Sequence, residues 1–393
     1  MGFFDLQDIL DKSPAGCASC RRHRSCLSPK MTSVEGQGNK GLMILHEHPS
    51  EEEDETGSPF TGKNTACLET LFADLGIDME EDCFHIYAAA CGTKKPDNEQ
   101  LRAHYPTVAS AIKRVKPKVI LALGDSFRSI LFSNYKGAIK DFNRWRGFPV
   151  PLLDLNCWMV ATFNPKFADE HWDDLYTTLL KQDLKTVVKC LETPLPEPVN
   201  TDDIEIVSNS GRAVELLEKL LKRQVPIAFD YETSGLKPQR KGHWIQCASF
   251  SPWPGNRSFC FRLGKHPDEK VLSKWCQVLG ASKIGKVAHN VSFEDMWSRV
   301  VLKQRVAGWI GDTILLAHIE DNRSGIVSLK FQSFLRFGIH GYEKEIKPFI
   351  EAEYPNDFNK VDKAPQKALM SYCGMDSLLT MRLFARFRQL GLV

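Results

Sequence analysis

A chain of 393 residues is long enough for two domains, each with its own core. With 42% hydrophobic and 25% charged residues, it has the composition of a folded globular protein rather than a disordered or fibrous one. A formal net charge of +2 excludes a uniformly basic coat, so any nucleic-acid surface must be a local patch. The opening Met1-Gly2-Phe3-Phe4-Asp5 lacks the basic start and apolar run of a signal peptide. No stretch has the apolar length needed to cross a bilayer, and the expected location is the cytoplasm. The 12 cysteines are dispersed, which reads as reduced thiols rather than a disulfide framework.

In chain order, Leu42 to Leu45 reads as a buried strand, Ala66 to Leu75 as a helix, and Phe84 to Tyr87 as a strand. Val108 to Val115 continues a helix, and Val119 to Leu123 is another strand. This alternation predicts a layered α/β domain with a mainly parallel sheet. Ligands in such sheets sit beyond the carboxyl ends of strands, here at Glu47, Ala88 to Cys91, and Gly124-Asp125.

Cys17, Cys20, Cys26 and Cys91 stand apart from the other cysteines. Cys17 and Cys20 are close in sequence, Cys26 follows shortly, and Cys91 lies just past a strand. Their softness permits zinc or an iron–sulfur cluster, with His104 as an alternative ligand; spacing does not choose between the metals. Cys67, Cys83, Cys157, Cys190, Cys247, Cys260, Cys276 and Cys373 show no mutual ligand spacing and read as packing residues. Three basic clusters offer phosphate contacts or a solvated surface: Arg21, Arg22, Arg24 and Lys30; Lys113, Arg114, Lys116 and Lys118; and Arg144-Trp145-Arg146.

Leu175 to Cys190 reads as a helix closing the first domain, 1–192. The alternating prolines of Pro194, Pro196 and Pro198 predict an extended linker over 193–203. A second domain then spans 204–393. It opens with a short strand at Ile204 to Val207, a helix at Arg212 to Leu221, and a strand from Val225 to Phe229 that ends at Asp230.

Asp230 and Glu232, one residue apart, point to one face of a strand. Their mutual repulsion calls for cations, and Mg²⁺ or Mn²⁺ suit an all-oxygen set; a solvated strand end is the plain alternative. Glu294 and Asp295 begin a helix behind His289-Asn290, which can cap or tie down the turn. Ala368 to Phe387 reads as a long amphipathic helix in which Tyr372 and Asp376, four apart, share a face. Asp230, Glu232, Glu294 and Asp376 are the candidate metal ligands. Tyr372 is the group that can orient water or the scissile phosphate.

The motifs Asp230-Tyr231-Glu232-Thr233, Ala288-His289-Asn290 through Phe293-Glu294, and Tyr372-x-x-x-Asp376 resemble those of the 3′–5′ exonucleases typified by polymerase proofreading domains and RNase D. Asp312-Thr313, followed by Leu315-Leu316-Ala317-His318, matches the intervening segment, with Asp312 as structural support. The resemblance implies an RNase H-like fold with a mixed sheet, two Mg²⁺ or Mn²⁺ ions, and hydrolysis from a 3′ end. Single-stranded DNA is the expected substrate and RNA the alternative. The family more often has aspartate where this chain has Glu294, leaving Asp295 as a weaker candidate ligand. No polymerase segment follows residue 393, so proofreading for a separate polymerase is one expected role. A stand-alone nuclease and a DNA-binding subunit of a replication complex with weak nuclease activity are the alternatives.

The first half resembles the iron–sulfur uracil-DNA glycosylases and their phage relatives. The matching segments are Cys17 to Cys20, Cys26 to Met31, Gly36-Gln37-Gly38, His46-Glu47-His48-Pro49 and Glu53 through Gly62. Further matches are Lys116 to Ile120, Leu123-Gly124, Arg144 to Gly147 and Thr162-Phe163-Asn164-Pro165. This implies an α/β/α sandwich and a [4Fe–4S] cluster on Cys17, Cys20, Cys26 and Cys91; His104 matches the family's late cysteine. Glu47 is placed to orient water and Phe60 to stack on a base. Tyr87 stands where the family has a uracil-reading asparagine, and Asn164 where it has a histidine that stabilises departing uracil. A DNA-binding domain without excision activity is therefore expected, with an active uracil-DNA glycosylase as the alternative.

Overall fold

The computed structural model describes residues 20–28, 31–132, 139, 141–165, 174–354 and 357–393. The chain divides into two compact units, one up to Glu197 together with Leu335–Gly338, the other Pro198–Phe334 together with Ile339–Val393.

The first unit is built on a five-stranded sheet in the order β2-β1-β3-β5-β4. The strands are β1 (Leu42–His46), β2 (Cys83–Tyr87), β3 (Val119–Leu123), β4 (Pro149–Leu152) and β5 (Cys157–Thr162). All neighbours are parallel except β4, which pairs antiparallel with β5. Every residue of β1, β3 and β5 is buried, as a parallel sheet covered on both faces requires. Leu42, Ile44, Leu121 and Val160 pack against Leu68 and Phe72 of α1 (Lys63–Ala73) and Leu180, Leu184 and Val187 of a later helix, Asp174–Glu192. Another helix, α2 (Asn98–Val115), contains the expected Val108 to Val115 and begins at Asn98. Asp97 and Gln100 form a reciprocal capping box there, a signal the apolar pattern does not carry.

The second unit carries a mixed six-stranded sheet in the order β11-β10-β7-β8-β9-β6. Its strands are β6 (Ile204–Val207), β7 (Ile227–Thr233), β8 (Ile245–Pro252), β9 (Ser258–Arg262), β10 (Lys286–Ala288) and β11 (Trp309–Asp312). The two pairs β7–β8 and β8–β9 are antiparallel; β6–β9, β7–β10 and β10–β11 are parallel. The strand Ile227–Thr233 runs through Asp230 and Glu232 instead of ending before them. Its alternation sends Phe229 and Tyr231 into one core with Trp275, which donates from Nε1 to the Tyr231 hydroxyl at 3.1 Å.

The opposite face is covered by the 24-residue helix Gln366–Gln389, buried from Leu369 to Phe387 on most of its turns. Gly374 sits mid-helix, where glycine costs about 1 kcal/mol against alanine. A Cβ there would lie 2.4 Å from Ile204 Cγ2 and 3.0 Å from Ser258 Oγ. The hydroxyls of Ser249 and Ser258 donate to the carbonyls of Cys373 and Gly374 at 2.7 and 2.8 Å. Backbone and sheet thus meet closely at the turn that carries Asp376.

Candidate functional site

Asp230 and Glu232 rise from β7 toward this helix, which presents Tyr372 and Asp376. Glu294 enters from α4 (Val291–Val300), counting α3 as the helix Asp174–Glu192. Glu232, Glu294 and Asp376 are buried, and Asp230 is partly so. Burial pushes the Asp230 carboxyl well above its ordinary range, reinforced by repulsion from Asp376, Glu232 and Glu294. Burial and Asp376 do the same to Glu232; burial, Asp312, Glu232 and Asp376 do it to Glu294. All four predicted acids therefore lie within electrostatic reach of one another. Glu294 Oε2 is buried and has no hydrogen-bond partner among the described residues.

The turn presenting Glu294 is tied down by Asp312, at the end of β11. Its carboxylate accepts from the backbone N–H of Asn290 at 3.1 Å and Val291 at 2.9 Å, and from Ile314 at 3.0 Å. One side chain thereby caps two helix starts. Asn290 occupies the cap position with φ 87° but makes no side-chain cap bond, so the capping expected of His289-Asn290 falls to Asp312. His289 instead pairs through Nδ1 with Thr313 Oγ1 at 2.8 Å, and burial lowers its pKa to about 4. Asp295 pairs with Arg299 at 2.6 Å, one turn along the same helix.

Two residues of the site were absent from the sequence reading. Lys330, on α5 (Leu329–Phe337), places its ammonium 2.6 and 2.9 Å from the Asp376 oxygens. It also lies over the rings of Tyr342 and Tyr372, 4.1 and 4.3 Å from their centroids. Tyr342 donates to Asp376 Oδ1 at 2.5 Å. Neither belongs to an acidic motif, and they lie 46 and 34 residues before Asp376, so local spacing gives no signal. Burial, then Asp376, pushes the Tyr372 hydroxyl far up, so it remains a protonated donor.

Four carboxyl groups converge on one ammonium in a buried setting, so full ionisation of the set leaves negative charge that only cations can offset. Together with the unpartnered Glu294 oxygen, this donor set fits hard divalent cations.

In the first unit, Phe60 stacks on Tyr87 with ring centroids 4.4 Å apart and an interplanar angle of 22°. Its backbone N–H donates to the Tyr87 hydroxyl at 3.1 Å, with Phe60 at φ 58°. Tyr87 is almost fully buried, so the expected base-stacking ring already has a stacking partner. Asn164 donates to Glu47 Oε2 at 3.0 Å, while the Asp125 N–H donates to Oε1 at 2.7 Å. Gly124 closes over that carboxylate at φ 54°; a Cβ there would lie 2.5 Å from Glu47.

Cys17 and Lys30 lie outside the described residues. Cys20 and Cys26 are half-buried and Cys91 buried, and all three act electrostatically on the buried Arg22. Arg22 donates from Nε to the Cys91 carbonyl at 2.5 Å and also to the carbonyls of Gly92 and Lys94. It therefore holds the Cys91 loop instead of contacting phosphate. His104 is buried beside it, lowered to a pKa of about 4 by burial and then by Arg22. Its Nδ1 has no partner among the described residues. Soft sulfur donors and an unpartnered imidazole nitrogen are the donor types that a metal or cluster takes. Trp145 is fully buried and Arg146 donates to both Asp183 oxygens at 2.9 Å, which takes these two side chains out of that cluster as a base-stacking surface. Lys113, Arg114, Lys116 and Lys118 are exposed. Among the described residues, no helix is long and apolar enough to cross a membrane.

Residues 34–200 match the uracil DNA glycosylase superfamily and residues 204–391 the 3′-5′ exonuclease family. The type-4 uracil-DNA glycosylase of Thermotoga maritima is 28% identical over 170 residues, 42% of this chain and 83% of that protein. The type-4 enzyme of Saccharolobus solfataricus is 22% identical over 206 residues, 51% and 91% of the two chains. Escherichia coli RNase D, an exoribonuclease involved in structured RNA processing, is 14% identical with a TM-score of 0.36. That likeness covers 47% of this chain and 44% of RNase D, under half its length. The chain joins a domain of the uracil-DNA glycosylase superfamily to a domain of the 3′–5′ exonuclease family.

Proposed function

We propose that the chain is a divalent-metal-dependent exonuclease that removes nucleotides from the 3′ end of single-stranded DNA. The observation that carries this reading is the convergence of four buried or partly buried carboxyl groups on three elements, three of them held above their ordinary range by burial and by their acidic neighbours. Asp230, Glu232, Glu294 and Asp376 would hold two Mg²⁺ or Mn²⁺ ions. Such ions supply Lewis-acid stabilisation of the charge that develops on the attacking and leaving oxygens. Tyr372 keeps its proton and donates a hydrogen bond to the scissile phosphate or the attacking water. Asp312 fixes the turn from which Glu294 projects.

DNA is favoured over RNA because the same chain carries a glycosylase-superfamily domain whose matched relatives are uracil-DNA glycosylases. That domain is a DNA-binding module without excision activity in this reading, and a separate DNA polymerase is the partner it serves by proofreading. The stacking of Phe60 on Tyr87 and the pairing of Asn164 with Glu47 support the loss of excision. Cys17, Cys20, Cys26 and Cys91 would hold a [4Fe–4S] cluster, with His104 the alternative donor. Iron and sulfide quantification with visible absorption on anaerobically purified protein tests this; a colourless, iron-poor protein rejects it.

The nuclease reading is tested with DNA labelled at its 5′ end, in Mg²⁺ or Mn²⁺. A ladder shortened from the 3′ end is expected, EDTA suppresses it, and Asp230→Ala lowers turnover by at least about a hundredfold. Undiminished cleavage by that variant rejects the assigned site. A ladder on RNA alone moves the substrate to the RNase D class. Tight, salt-sensitive DNA binding with no turnover on either polymer favours the replication-subunit reading.

A further inference from the structure

Cys247, Cys260 and Cys373 are far apart in sequence but have their sulfur atoms within 4.8 Å of one another. The sheet register explains how. Ser249 pairs with Cys260 across β8 and β9, so Cys247, two residues before Ser249, is a diagonal neighbour on the same face. The helix turn bearing Cys373 is pressed onto that face through Ser249 and Gly374. All three side chains are buried, at 1%, 0% and 0% exposure. This trio borders the acid cluster. Cys247 pairs with Glu232 across β7 and β8. The Cys373 thiol donates toward the Asp230 carbonyl at 3.6 Å and Asp230 Oδ2 at 3.7 Å. Cys373 also lies within 4.8 Å of the Asp230 and Glu232 ligand atoms, so one sulfur belongs to both constellations. Asp230, which Cys373 contacts, is only partly buried.

We propose that Cys247, Cys260 and Cys373 form a sulfur-lined site for one thiophilic d¹⁰ ion, Zn²⁺ or Cd²⁺ in kind, and that its occupancy lowers exonuclease turnover through Cys373. The ligand geometry is within reach. An ion with metal–sulfur bonds of about 2.3 Å holds tetrahedral sulfurs about 3.8 Å apart, a contraction of about 1 Å from the outer limit seen here. The ion discriminates by softness: thiolates select it over Mg²⁺, which prefers the neighbouring carboxylates. Each metal–sulfur bond replaces an S–H bond, the three protons leave to solvent, and no electrons are transferred. Cys373 then ceases to donate to Asp230, and its sulfur is drawn toward the sheet. The carboxylate that holds a catalytic cation is thereby repositioned. The inhibition arm rests on the nuclease reading; the binding arm does not.

The test uses full-length reduced protein in saturating Mg²⁺ with Cd²⁺ as the probe. Equilibrium dialysis counts bound Cd²⁺, and thiolate-to-cadmium charge-transfer absorbance reports sulfur ligation. Cys260→Ala is expected to bind one Cd²⁺ fewer than the unsubstituted protein and to lose the matching share of absorbance. Relative to its own Mg²⁺-supported rate, the variant should need at least tenfold more Cd²⁺ for half-inhibition. Equal stoichiometry in the two proteins overturns the site, whether or not either cuts DNA. One Cd²⁺ fewer with the same half-inhibitory concentration overturns the coupling to turnover. Thermal melting checks the fold; if Cys260→Ala does not fold, the near-isosteric Cys260→Ser is read by the same criteria.

Discussion

Asp376 accepts hydrogen bonds from Lys330 and Tyr342 at once, and these partners determine what happens to the site without divalent ions. The raised pKa values of Asp230, Glu232 and Glu294 mean that the folded protein binds protons more tightly than the unfolded chain. Their contribution is therefore fully present below the ordinary carboxylate range and is lost as pH rises through the raised values. Lys330 opposes this loss for Asp230 and Glu232. Its side chain is 30% exposed, so solvent screens part of the pairing. In EDTA at pH 8, Lys330→Met is expected to destabilise the fold by about 2 kcal/mol, less than a fully buried pair would lose. At pH 5 the difference shrinks as the carboxyls take up protons. Melting curves at the two pH values decide, and an equal loss at both refutes the charge argument. The acids themselves were legible from sequence because their family motifs are short and local. Lys330 and Tyr342 were not, because only the packing of α5 and the segment after it onto the last helix brings them to Asp376.

At the scale of elements, site geometry depends on how closely the last helix, Gln366–Gln389, lies on the sheet. Its length and face were readable from apolar periodicity; the reason for Gly374 was not, because Ile204 and Ser258 come from strands more than a hundred residues away. Alanine at 374 gains about 1 kcal/mol of helix propensity but incurs about 1–3 kcal/mol of overpacking. The clash is one turn or less from Asp376, so the larger effect falls on the ligand position. Gly374→Ala should lower exonuclease turnover by about tenfold to a hundredfold, since a misplacement of about 1 Å can cost that much. Ile204→Ala removes the Cγ2 that the new methyl meets and should restore part of the rate in the double variant. A fully active Gly374→Ala, or a double variant no better than the single one, would contradict this account. The same reasoning explains why β7 ran longer than expected. Asp230 and Glu232 face a polar, small-residue layer of Ser249, Cys247 and Cys260 under the helix, so carboxylates can continue a central strand there.

At the scale of the whole chain, the two halves show opposite relations between motif and chemistry. The exonuclease half keeps its charged groups in mutual reach, whereas the glycosylase-like half has turned its pocket groups on one another. Phe60 is stacked on Tyr87, and both Glu47 oxygens accept from Asn164 and the Asp125 backbone. Entry of uracil would require displacing the Tyr87 ring, whose burial the surrounding core enforces. Departure of uracil as an anion would find an amide at Asn164, which cannot take up the positive charge of an imidazolium. The sequence carried both substitutions; the stacking that fills the gap required the structure, because Phe60 adopts a positive φ that no local pattern announces. Uracil-containing single-stranded and duplex DNA is therefore expected to survive incubation in EDTA, which halts nuclease turnover, with no abasic sites revealed by chemical cleavage. Efficient excision needs base discrimination together with stabilisation of the leaving anion, and the pocket has lost the expected group for each. A product at the uracil position that disappears in Glu47→Ala yet persists in Asp230→Ala would restore catalysis to the first domain. It would then require Tyr87 to swing away from Phe60 on DNA binding, a movement that the fluorescence of a base analogue placed opposite the pocket would report.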